Sequence, residues 1–73
     1  MLIVGQEKYN IIDFDKIDYI VMSEGEYIEL LAYIGDDSIC LGTYGGVKYA
    51  QRDLEKIATT YEMNQKVCRL YED

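Results

Sequence analysis

Gly45-Gly46 divides this chain into two hydrophobic rhythms. Before it, apolar residues come in short runs: Leu2–Val4, Tyr9–Ile12, Ile17–Met22, Tyr27–Ile34 and Ser38–Thr43. Between them lie Gly5-Gln6-Glu7-Lys8, Asp13-Phe14-Asp15-Lys16, Glu24-Gly25-Glu26 and Gly35-Asp36-Asp37. Short runs bounded by Gly and Asp are the signature of antiparallel hairpins. In Tyr27–Ile34, the residues Ile28, Leu30, Ala32 and Ile34 fall on one face of a strand. Tyr27, Glu29, Leu31 and Tyr33 fall on the other, because successive side chains of a strand point to opposite sides. The first face is wholly apolar and belongs to a core. In the next run Ile39 and Leu41 continue that core and Cys40 points away.

After the glycines the period lengthens. Val47, Ala50, Leu54, Ile57, Ala58 and Tyr61 make one stripe of an α-helix. Lys48, Gln51, Arg52, Glu55, Lys56 and Thr59 take the other side, and Asn64 is a stop signal. Lys66–Tyr71 alternates again and reads as a last strand. The expectation is an α+β fold in a single domain over residues 1–73. A small antiparallel β-meander of four to six short strands packs against one α-helix at about 46–62.

The chain has 73 residues, of which 49% are hydrophobic. That supplies a real core, though one of marginal net stability, which dimerisation would supplement. No apolar run approaches the ~20 residues of a membrane span. The start, Met1-Leu2-Ile3-Val4-Gly5-Gln6-Glu7, lacks the basic and long apolar regions of a signal peptide. A cytoplasmic setting is expected. Cys40 and Cys68 fit a reducing compartment as two thiols, in preference to a disulfide between them.

The sequence holds no histidine. The usual general base near neutral pH is therefore missing, and no Ser-His-Asp arrangement can be built. A Cys40 nucleophile would lie in acidic surroundings, which work against its ionisation. Asp13-x-Asp15-x-x-Asp18 resembles the start of a calcium loop. The sixth position of such a loop needs Gly and here holds Asp18, so these acids read as turn residues. Two cysteines without histidine cannot furnish a zinc site. Gly45-Gly46 with Lys48 hints at an anion site but reads better as a strand-to-helix turn. The expectation is a protein that is not an enzyme and has no cofactor and no metal.

Charge is more informative. Residues 1–45 carry nine acids against two bases, a net of −7, whereas residues 46–73 carry five of each. Such a balance disfavours direct contact with nucleic acid or an anionic membrane. It suits a cationic partner. One helix can cover one sheet face only, so some tyrosines must lie elsewhere. Tyrosine offers a large apolar area with a polar tip, which suits protein contacts. The expected binding residues are Tyr27, Glu29, Leu31 and Tyr33 on the strand face, with Glu24, Glu26, Asp36 and Asp37 in the turns. Contact with another protein, and burial of the rings on the second sheet face or in a homodimer, carry equal weight for these tyrosines.

Three stretches carry a likeness to known sequences: Met1–Gln6 with Ile11–Ile17; Leu41-Gly42-Thr43-Tyr44; and Ala50, Leu54, Ile57 and Tyr61. On them the chain resembles a diffuse group of short uncharacterised proteins of Gram-positive bacteria and their phages and mobile elements. The resemblance implies a β-meander closed by a helix and brings no activity or catalytic residue. Many members have a Met-Pro pair near the end. This chain has no proline, which implies different packing of its tail. The functional expectation is a non-catalytic acidic protein-binding module. Its sharper form is a phage or mobile-element inhibitor occupying the cationic, nucleic-acid-binding surface of a host defence enzyme. The alternative is a homo-oligomeric structural or small-ligand-binding accessory protein.

Overall fold

The structure, a computed structural model, describes residues 1–6 and 10–71. Among these residues, six strands and one α-helix follow in the order β1 (Leu2–Val4), β2 (Ile11–Asp13), β3 (Tyr19–Glu24), β4 (Ile28–Ile34), β5 (Asp37–Tyr44), α1 (Val47–Glu62) and β6 (Val67–Arg69). The α+β class, the short strands and the single helix are as the periodicity predicts. The run expected over Tyr9–Ile12 begins as a strand at Ile11, and Tyr9 lies outside the described residues, as do Glu7 and Lys8 of the preceding turn.

The strands divide between two three-stranded sheets. β3-β4-β5 is the antiparallel meander. The other sheet has the order β2-β1-β6, with β1 antiparallel to β2 and parallel to β6. A parallel pair needs a crossover, and α1 completes it by carrying the chain from β5 to β6 beside β1. The expected last strand is therefore real, and it joins the N-terminal sheet.

One core serves both sheets and the helix. Ile3, Ile12 and Cys68 come from the first sheet, Leu30, Ala32, Leu41 and Tyr44 from the meander, and Ala50 and Ile57 from α1. Leu41 reaches this core through a bulge. Leu30 pairs with Gly42 and Leu31 with Cys40, so Leu41 is the extra residue between them. It is buried, and Cys40 is exposed on the far side.

Gly46 caps α1 without a side-chain hydrogen bond. The helix ends in a Schellman turn. Asn64 adopts φ 56°, the left-handed region that Asn tolerates. The Gln65 amide donates to the Thr60 carbonyl at 3.2 Å, and the Asn64 amide to Tyr61 at 3.0 Å.

The buried face of α1 differs from the expected stripe. Ala50, Asp53, Ile57 and Thr60 are buried, Leu54 is half-buried, and Ala58 and Tyr61 are exposed. Two polar residues replace apolar ones because both find partners. Tyr44 Oη donates to Asp53 Oδ2 at 2.5 Å, and the Tyr71 amide donates to the same carboxylate at 3.2 and 3.3 Å. Thr60 Oγ1 donates to the Lys56 carbonyl at 2.6 Å. A buried polar group so satisfied costs little compared with an orphan. Tyr61 instead lays its ring near Phe14, with centroids 5.3 Å apart.

Candidate interaction surface

The meander sheet has one covered face and one open face. Ile20, Met22, Ile28, Leu30, Ala32 and Ile39 pack toward the core. Strand alternation turns Tyr19, Val21 and Ser23 of β3, Glu29, Leu31 and Tyr33 of β4, and Cys40 and Thr43 of β5 the other way. The register brings them together: Tyr19 opposes Tyr33, Val21 opposes Leu31, Ser23 opposes Glu29, and Leu31 opposes Cys40. The Tyr19 and Tyr33 rings stack at 5.0 Å with an interplanar angle of 14°. Such cross-strand aromatic pairs stabilise the sheet itself and make a flat platform.

Glu29, Leu31 and Tyr33 thus lie on one continuous outer face, each half-buried by its neighbours. Tyr27 lies just before β4 in the β3–β4 turn and is 61% exposed. Periodicity alone did not pick out Tyr19 and Val21, which complete the face. The signal was available in their two-residue spacing, but only the β3–β4 register shows that they sit opposite Tyr33 and Leu31.

The acids are not one patch. Glu24 and Glu26 occupy the β3–β4 turn, whereas Asp36 and Asp37 occupy the β4–β5 turn. These turns lie at opposite ends of β4, whose seven residues span about 20 Å. That exceeds the screening length of about 8 Å at physiological salt. Asp18 belongs to the second end, since its Oδ2 accepts from the Gly35 amide at 2.8 Å. The open face is therefore an apolar and aromatic middle with carboxylates at both ends.

The Asp13-x-Asp15 segment is local scaffolding. Asp13 Oδ1 accepts from the Asp15 amide at 3.0 Å and caps the 3₁₀ turn at Phe14–Lys16. No group of three or more His, Cys, Asp or Glu side chains among the described residues is placed to hold a metal ion.

Cys40 Sγ donates to Glu29 Oε2 at 3.3 Å and to the Gly42 carbonyl at 3.5 Å. Partial burial, followed by the Glu29 carboxylate, pushes its pKa above the ordinary 9.0. The thiol is held in its un-nucleophilic form. Cys68 is buried in β6, and both cysteines are free thiols.

On the helix, the basic stripe meets tyrosines. The Arg52 guanidinium and Lys56 Nζ lie over the Tyr71 ring at 4.2 and 3.9 Å from its centroid, while Lys48 and Arg52 lie over Tyr49 at 5.1 and 5.5 Å. Such cation–π contacts tie the tail beyond β6 to α1. A polar cleft of about 420 Å³ lies between Met1, Asp15, Tyr61 and Lys66. It brings no convergent set of reactive groups together.

No helix of the described residues is long and apolar enough to cross a membrane. No family model, curated protein or solved structure matches the chain.

Proposed function

We propose that this chain is a non-catalytic acidic protein-binding module that holds a cationic partner against the outer face of the β3-β4-β5 sheet. The observation that carries the reading is the composition of that face. A stacked tyrosine pair, Val21 and Leu31 form its middle, and exposed carboxylates frame both ends. Apolar and aromatic area supplies affinity, and the flanking charge supplies encounter rate and selectivity. A nucleic-acid-binding enzyme of a bacterial host would be such a partner. The tyrosines would take the place of stacked bases and the acids that of phosphates, as befits an inhibitor carried by a phage or mobile element. The working site is the cytoplasm, where free thiols persist. Catalysis is disfavoured by the lack of histidine and by the raised Cys40 pKa.

Self-association through the same face is the weaker alternative. Two copies stacked face to face with their strands aligned would set acids against acids at each end. The test is affinity capture from a Gram-positive host lysate at low and high salt, with wild type and Leu31→Lys as baits. Wild type should retain a cationic protein at low salt that Leu31→Lys loses. Equal retention by both baits would overturn the proposal. Sedimentation of wild type checks the homodimer, and a dimer that Leu31→Lys dissociates would replace the heterologous reading.

A further inference from the structure

We propose that β3 is a docking edge, which accepts an extended segment of the partner as a fourth strand of the meander sheet. This rests on the reading above and adds the partner's chemistry: cationic side chains at both ends of a short apolar or β-branched stretch.

The two edges of the sheet are treated differently. The β5 edge is closed by the chain's own N-terminal part. The Gln6 amide donates to the Leu41 carbonyl at 2.8 Å, Asn10 Nδ2 to Cys40 at 3.2 Å, and the Thr43 amide to Gln6 Oε1 at 2.8 Å. At the other edge β3 pairs with β4 alone, in unbroken register from Tyr19 to Glu24. Among the described residues nothing bonds to its outward amides and carbonyls. An open strand edge is a template for another strand, and proteins usually blunt it with a lysine, a proline or a bulge. Tyr19-Ile20-Val21-Met22 has none of these.

Charge decides what can pair there. Asp18 and Glu24 bracket the apolar stretch, and both are exposed. In an antiparallel pairing of β3 with a second copy centred on Val21, Asp18 of each chain would oppose Glu24 of the other. Like charges directly opposite each other destabilise a sheet. An incoming segment with lysine or arginine at those two places turns the same positions into attractive pairs. Main-chain hydrogen bonds then supply affinity and the end charges supply register, the usual division in strand addition. Tyr19, half-exposed beside this edge, offers its ring to the stem or charge of a cationic residue.

The probes are two blocked synthetic peptides with the same alternating Thr-Val centre. One has lysine at both ends, spaced to match Asp18 and Glu24, and the other has glutamate there. Each is titrated into isotopically labelled protein and followed by amide shifts and amide exchange. The lysine-ended peptide should shift the signals of Tyr19–Glu24 and slow exchange along β3. It should bind about tenfold tighter than the glutamate-ended one. In Asp18→Asn/Glu24→Gln that preference should vanish, and Asn still offers an acceptor to Gly35. Shifts confined to Leu31, Tyr33 and Cys40 would overturn strand addition while leaving the outer-face reading intact. No β3 shift with either peptide at millimolar concentration would overturn it too, and the lysate capture would then judge the proposed function separately.

Discussion

Tyr44 Oη and Asp53 Oδ2 meet at 2.5 Å inside the protein, where Asp53 has no exposed surface and Tyr44 has 4%. Tyr44 ends β5 and Asp53 lies in the second turn of α1, so this bond fixes how the helix leaves the sheet. The Tyr71 amide on the same carboxylate adds the tail beyond β6. One buried acid therefore pins three parts of the chain.

Tyr44→Phe and Asp53→Ala should each destabilise the fold, the latter more, because it also removes the acceptor for Tyr71. Hydrogen bonds to charged groups are worth about 1.5–3 kcal/mol. A double-mutant cycle by urea denaturation should return a coupling energy of that order. Additive single effects would show that the pair does not act as a unit.

The helix side chains should rank by observed burial. Ile57 is buried in the shared core and Leu54 only half-buried. Ile57→Ala should cost about 2–5 kcal/mol and Leu54→Ala clearly less. Thermal melts decide it, and the reverse order would contradict the orientation of α1.

Gly42 is required by close approach. A Cβ there would lie 2.9 Å from both Cβ and Oε1 of Gln6 and 3.0 Å from Tyr44 Oη. Gly42→Ala should displace Gln6, break its bond to the Thr43 amide and cost about 1–3 kcal/mol, as overpacking does. Gln6 is already imperfect, since its buried Nε2 has no hydrogen-bond partner among the described residues. An unchanged denaturation midpoint for Gly42→Ala would show that the N-terminal segment moves aside freely.

Cys40 should react slowly with alkylating reagents. Its raised pKa shifts the midpoint of the rate–pH profile above 9.0. Burial is the first cause and Glu29 the next, so Glu29→Ala should lower the midpoint without restoring it fully. This group's contribution to stability is fully present below 9.0 and is lost as pH rises through the higher folded value. A wild-type midpoint at or below 9.0 would refute the assignment.

The two acidic ends should act independently on partner association. Glu24→Gln/Glu26→Gln and Asp36→Asn/Asp37→Asn should each slow binding at low salt, and their effects should multiply. The ends are about 20 Å apart, beyond the screening length. Stopped-flow rates across a salt series measure this, and strong non-additivity would place the four acids in one patch.

Local periodicity in the sequence determined the strands, the helix and the two faces of β4. Alternation and helical spacing belong to consecutive residues, so Ile28, Leu30 and Ala32 declare the core side without knowledge of any neighbour. The tertiary structure decided the rest. Asp53 lies outside the apolar helical stripe of the sequence, and its burial depends on donors from Tyr44 and Tyr71, which only the folded chain brings near. Glu24 and Glu26 precede β4 in the sequence, and Asp36 and Asp37 follow it. A hairpin reverses direction at each turn, and that places the two pairs at opposite ends of the sheet. The pairing of β1 with β6 joins the two ends of the chain, and hydrophobic patterning carries no record of which strand lies beside which. The open β3 edge likewise emerges only once every other strand has found its neighbour, because an edge is a property of the whole sheet and not of the strand that forms it.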